Sequence, residues 1–165
     1  MGLLKKIRGV VTGESGEDQE WIAIDGVGDT AELLRVIART MPSGALLNIV
    51  KPRSVEVERF LQANKTGASN VEEGDYYLSM SGSAVVQLAD LISQIHPEPA
   101  FGAALVTLDG SNLMEAYRRD SNEDVVWLSS SLPSEMLTRA REGLDAIAEN
   151  GATASRTPAL RARSA

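Results

Sequence analysis

Residues 21–34 read WIAIDGVGDTAELL. A short apolar run ends at Asp25, glycines interrupt the chain at 26 and 28, and a helical pattern starts after Asp29, so a strand, a turn and a helix follow one another at once. On that helix Leu33, Leu34, Ile37 and Met41 share one stripe while Glu32, Arg35 and Arg39 lie opposite, which demands a core on one side only. Asp29 and Glu32 have the spacing of a capping box, in which each side chain satisfies an amide that the first helical turn leaves open.

The same rhythm continues outward. Short apolar runs at 46–51, 76–80 and 104–108 are bounded by Gly, Pro or Ser and read as buried strands. Two helical patterns separate them. One sets Val57, Phe60 and Leu61 on one face, with Glu56, Glu58 and Arg59 elsewhere. The other, 84–95, is apolar nearly all round save for Gln87, Asp90 and Gln94, and is predicted to be the most buried helix. After Leu108 the turn-rich breaks at 109–112 and 120–123 leave strand-length runs, an antiparallel meander. A last helix opens at Pro133 and carries Leu137, Ala140, Leu144 and Ile147 inward, with Gly151 placed to cap it. The fold class is α/β (mixed): a single domain of order βαβαβαβββα, with a mixed sheet, an antiparallel C-terminal meander and covering helices. Right-handed crossovers are expected wherever neighbouring strands run parallel.

That domain occupies residues 21–150. Residues 1–20 begin with a short basic amphipathic segment, MGLLKKIRGVV, which on a helix places Leu3, Leu4, Ile7 and Val11 on one side and Lys5, Lys6 and Arg8 toward the other. An acidic flexible tether, TGESGEDQE, follows, with no large apolar residue to bury. Eleven residues with an internal glycine are too few for a stable isolated helix, so the segment takes its order from docking. Protein is the expected surface, ahead of an anionic membrane that Glu14, Glu17, Asp18 and Glu20 would oppose. At the other end, residues 151–165 read as a disordered basic tail.

Of the chain's 165 residues 43% are apolar and none is cysteine. A core is therefore affordable, disulfides and thiolate chemistry are excluded, and a cytoplasmic location is the simplest expectation. The net charge of −7 becomes −10 for residues 1–150 once Arg156, Arg161 and Arg163 of the acid-free tail are set aside. Such a surface repels nucleic-acid phosphate, so no nucleic acid is expected at the folded core, and a basic protein is the fitting partner.

Four places could carry chemistry. Gly26 and Gly28 before a helix start could let backbone amides approach a phosphate, but Ala31 matches only the looser dinucleotide pattern, the Walker Gly-Lys-Ser/Thr is absent, and Asp25 and Asp29 put negative charge where a phosphate would sit. A second Asp-Gly pair, in TLDG at 107–110, could join Asp25 in holding Mg²⁺, although Asp-Gly is equally a hairpin dipeptide. His96, the only histidine, precedes Pro97 at a helix end, where the carbonyl dipole favours a cation, and no nucleophile is spaced to use it. Glu72, Glu73 and Asp75 precede Tyr76 and Tyr77, a pair suited to protein contact in which alternation turns one ring outward.

The expectation is a non-enzymatic, acidic cytoplasmic protein-binding module, an adaptor or a neutralising, immunity-like partner of a more basic protein, with no cofactor and no metal. Glu72, Glu73, Asp75, Tyr76 and Tyr77 are its candidate contact residues. One alternative is a small-molecule or phosphate-binding enzyme that uses Asp25, Gly26, Gly28, Thr30 and Asp109. Another is a peripheral membrane protein held by its N-terminal segment.

Overall fold

The computed structural model describes residues 20–95, 100–118 and 124–164, with side chains through residue 152. Within them the elements follow the expected order: β1 (Trp21–Ile24), α1 (Thr30–Thr40), β2 (Leu46–Pro52), α2 (Val55–Asn64), β3 (Asp75–Ser79), α3 (Ala84–Ile92), β4 (Phe101–Leu108), β5 (Ser111–Tyr117), β6 (Val126–Ser129) and α4 (Ser134–Ser164). The N-terminal amphipathic segment, most of the tether, His96 and the turn at 120–123 lie outside the described residues.

The six strands form one sheet in the order β1-β6-β5-β4-β2-β3. Every ladder in it is antiparallel, so the parallel pairings expected of a mixed sheet are not formed. The register explains why. β1 and β2 do run in the same direction, as do β3 and β4, but three strands separate the first pair and β2 separates the second. The helices α1 and α3 bring the chain back to run the same way, whereas α2 links the antiparallel neighbours β2 and β3. Packing then decides which slot the returning strand takes, and here no two like-directed strands become neighbours.

All four helices pack on one face of the sheet. Ile24, Leu47, Ile49, Tyr76, Leu78, Ala104, Val106, Met114, Ala116, Val126 and Leu128 point toward them and form one apolar cluster with Leu33, Leu34 and Ile37 of α1, Val57 and Leu61 of α2, Leu88 and Ile92 of α3, and Leu144 and Ile147 of α4. α1 packs between α3 and α4. It buries Ala31, Leu33, Leu34, Val36, Ile37 and Thr40, more than α3, which buries Val85, Leu88, Ala89 and Ile92. The expectation for α3 thus passes to α1. A helix in a one-sided layer keeps a face to water however apolar that face is, and Val86 of α3 stands there exposed.

Two local readings meet different outcomes. Asp109 (φ +51°) and Gly110 (φ +79°) are both left-handed between β4 and β5, the backbone of a two-residue hairpin. Gly151 does not cap α4, which runs on to Ser164, because the residue lacks the left-handed conformation that a glycine cap requires.

The approach of α4 to α1 depends on another glycine. A Cβ at Gly143 would stand 3.0 Å from both methyls of Val36. Gly143→Val is expected to lower unfolding free energy by about 1–3 kcal/mol through overpacking. Gly67→Ala, where nothing lies within 4 Å, stays within about 0.5 kcal/mol of the parent. Urea denaturation of the two variants makes the comparison.

Candidate functional site

The turn after β1 opens onto a cleft. Gly26 (φ +82°) reverses the chain. The N–H of buried Val27 then donates to the Asp124 carbonyl at 2.8 Å, and the Val27 carbonyl accepts from the Arg118 guanidinium. The loop is thereby pinned to both ends of the β5–β6 connection. On its other side runs α4, with the Ala148 Cβ only 3.4 Å from where a Cβ on Gly26 would project. The cleft between them encloses about 830 Å³, lined by Gly26, Gly28, Asp29, Glu32 and Arg39 together with Asp124 and a strip of α4 from Gly143 to Ala152.

Its lining is acidic. Asp29 caps α1, accepting from the Glu32 N–H at 3.1 Å. The return half of the capping box is not made, because the Glu32 carboxylate pairs with Arg35, which also reaches Asp90 at 3.0 Å. Hydrogen bonds to Asp90, then to Glu32, push the Arg35 pKa above its already high ordinary value. Asp124 lies with a carboxylate oxygen 3.1 Å from where a Cβ on Gly28 would stand, so glycine there leaves room for it. Asp29 and Asp124 therefore line the cleft with Arg39, while the carboxylate of Glu32, also in the lining, is already paired with Arg35. The positive end of the α1 dipole is already answered by Asp29.

The structure brings together only part of the predicted ligand site. Gly26 and Gly28 line the cleft, Asp25 is exposed at the end of β1, and Thr30 is the half-buried first residue of α1. Asp109 is elsewhere. The end of β1 is level, through Val126 and Ala116, with Ala104, whereas Asp109 lies beyond Leu108 at the opposite end of the sheet. Strand spacings put it roughly 20 Å or more from Asp25, too far for one ion or one small ligand. Asp109 serves the hairpin instead. Among the described residues no group of three His, Asp or Glu side chains is arranged to hold a metal ion.

The predicted contact patch also divides. Tyr76 points into the core, 1% exposed, and its hydroxyl accepts from Gln62 Nε2 at 3.4 Å, so it offers nothing to a partner. Glu72 and Glu73 are exposed in a short 3-10 helix before β3. Tyr77 and Asp75 lie on the sheet face that carries no described helix, where Asn48 Nδ2 donates to Asp75. Burial first, and the charge of Asp75 second, push the Tyr77 phenol above its ordinary pKa.

On that same face is a residue the sequence did not single out. Glu115 alternates with core-facing Met114 and Ala116 and so reads as solvent-facing, yet it is fully buried. Its carboxylate accepts from Asn112 Nδ2 at 3.0 Å and from the Tyr117 hydroxyl at 3.1 Å. No periodic signal distinguishes such a position from an exposed one.

Comparison with protein-family models, with curated proteins and with solved structures finds no match. No described helix is long and apolar enough to cross a membrane.

Two measurements check this geometry. Asp29→Ala is expected to lower stability by about 0.5–2 kcal/mol, and Asp29→Asn to be nearly neutral, because its amide oxygen takes the same bond. Tyr77 has a raised folded pKa, so its protonated form stabilises the fold below the unfolded value of about 10, and that contribution is lost as pH climbs through the folded value. In alkaline absorbance titration Tyr77→Phe should remove a phenol that ionises above about 10.

Proposed function

We propose that the protein is a non-enzymatic, acidic cytoplasmic protein-binding module, and that its cleft at the β1–α1 turn receives a cationic side chain of a more basic partner. The observation that carries this reading is the lining of the cleft, in which Asp29 and Asp124, beside a Glu32 already paired with Arg35, outnumber Arg39. A lysine or arginine that enters gains paired carboxylates, whereas a phosphate would meet repulsion from the same groups. The net −10 of residues 1–150 supports the reading at longer range, since it steers a basic partner toward the surface before contact. The cysteine-free composition suits a reducing compartment. An adaptor or neutralising role follows from that chemistry. Exposed Glu72 and Glu73, beside the opposite edge strand β3, make a second acidic surface against which the cleft can be compared.

The test is fluorescence anisotropy with a labelled Lys/Arg-rich peptide. Affinity should fall steeply as added salt shortens the Debye length from about 30 Å to about 3 Å. Asp124→Asn should weaken binding by about two- to fivefold, the size of one exposed charge pair, and the Glu72→Gln/Glu73→Gln variant should weaken it less. Binding that ignores salt, or thermal stabilisation by a nucleotide or by inorganic phosphate, would overturn the proposal.

A further inference from the structure

The sheet face opposite the helices mixes polar side chains, among them Asn48, Asp75, Ser79 and Thr107, with a band of apolar ones that a free surface ordinarily lacks. Ala23, Leu46, Val50, Leu105, Tyr117 and Trp127 project from it, each alternating with a neighbour that points into the core. An antiparallel sheet with one face in water shows polar side chains there, and a broad apolar patch marks a place of contact. Five residues of this face are already out of water: Asn48 and Ala103 on β2 and β4, and, on β1, β6 and β5, Trp21 at 1% exposure and Ser129 and Glu115 at 0%. Strand neighbours shield a side chain from the flanks and not from above, so a cover lies over β1, β6 and β5. The described helices do not supply it, since all four belong to the cluster on the other face.

We infer that the cover is the protein's own N-terminal segment, residues 3–11. The rest of the chain offers little else. Residues 96–99 (HPEP) and 119–123 (RDSNE) contain no large apolar side chain, and the tail has a single leucine, Leu160, whereas residues 3–11 read LLKKIRGVV. Position agrees. The segment connects through the nine-residue tether 12–20 to Trp21, the first residue of edge strand β1. That tether spans up to about 30 Å when extended, and β5 lies only about 10 Å from the edge. Charge agrees as well. Burying a carboxylate costs several kcal/mol unless opposite charge and hydrogen bonds compensate. Lys5, Lys6 and Arg8 would bring positive charge to a face that holds the carboxylates of Glu115 and Asp75. Leu3, Leu4, Ile7 and Val11 match the apolar surface around them. The face is distinct from the acidic cleft, so this inference stands or falls independently of the proposed function.

The chain has two tryptophans, Trp21 and Trp127, and both project from this face, so intrinsic fluorescence reports the cover directly. In the full chain, Leu4→Asp/Ile7→Asp should shift emission to the red and raise quenching by acrylamide, with the far-UV circular dichroism retained. Val55→Asp, on the exposed first turn of α2, should change neither signal. Amide hydrogen exchange of the unaltered full chain, read by mass spectrometry, should be slower in residues 3–11 than in a free peptide of that sequence. Should the double variant lose its fold, this exchange measurement decides. Unchanged emission and quenching in a folded variant, or exchange at the free-peptide rate, overturns the inference. Shielding that is lost on dilution together with a dimer seen by sedimentation velocity also overturns it, and assigns the cover to a second copy. Shielding that requires vesicles of phosphatidylcholine and phosphatidylserine overturns it in favour of a membrane surface.

Discussion

The burial of one stripe of α1 against the sheet is the constraint on which the other elements depend. Leu33, Leu34 and Ile37 are fully buried, and each contributes about 1.5–3 kcal/mol relative to exposure. Because α1 packs against α3 on one side and α4 on the other, it holds the helical layer in register with the strands beneath. Its start is tied down twice, by the Asp29 cap and by the pairing of Val27 with Asp124. The same two ties form one wall of the cleft. The close pass of α4 at Gly143 brings up the other wall.

Placing every helix on one side of a six-stranded sheet creates two unlike surfaces. The helical side shows water its charged faces. Pairs such as Arg35–Asp90 and Arg139–Glu135 are exposed there, and pairs of that kind contribute little to stability. The opposite side presents apolar residues and a buried carboxylate, a combination that water alone would not favour. An antiparallel sheet tolerates a solvated second face, but on this one Trp21, Glu115 and Ser129 are buried. The cleft and the opposite face thus differ in chemistry, the first lined by Asp29 and Asp124 and the second by Trp21, Leu105 and Trp127.

The features legible in the sequence are those in which cause and effect lie within a few residues. Asp29 is readable as a cap because it bonds an amide three residues away. Asp109-Gly110 is readable as a hairpin because its backbone requirement is met locally. The stripes of α1, α2 and α4 follow from the helical period, and the order of strands and helices follows from their succession. Even the divergence of Tyr76 and Tyr77 is implied by alternation, although the direction each takes is not.

Tertiary structure decided everything that depends on which strand lies beside which. No parallel ladder forms because β2 took its place beside β4, a pairing of residues roughly fifty to sixty positions apart that no local pattern encodes. Strand order carries Asp25 and Asp109 to opposite ends of the sheet and brings Asp124 against Gly28, which makes the cleft acidic. The burial of Glu115, whose place in an alternating strand looks open to water, is likewise set beyond its own strand. Periodicity states that one side of an element must be covered. The choice of what covers it belongs to packing between distant segments, and so to the folded chain alone.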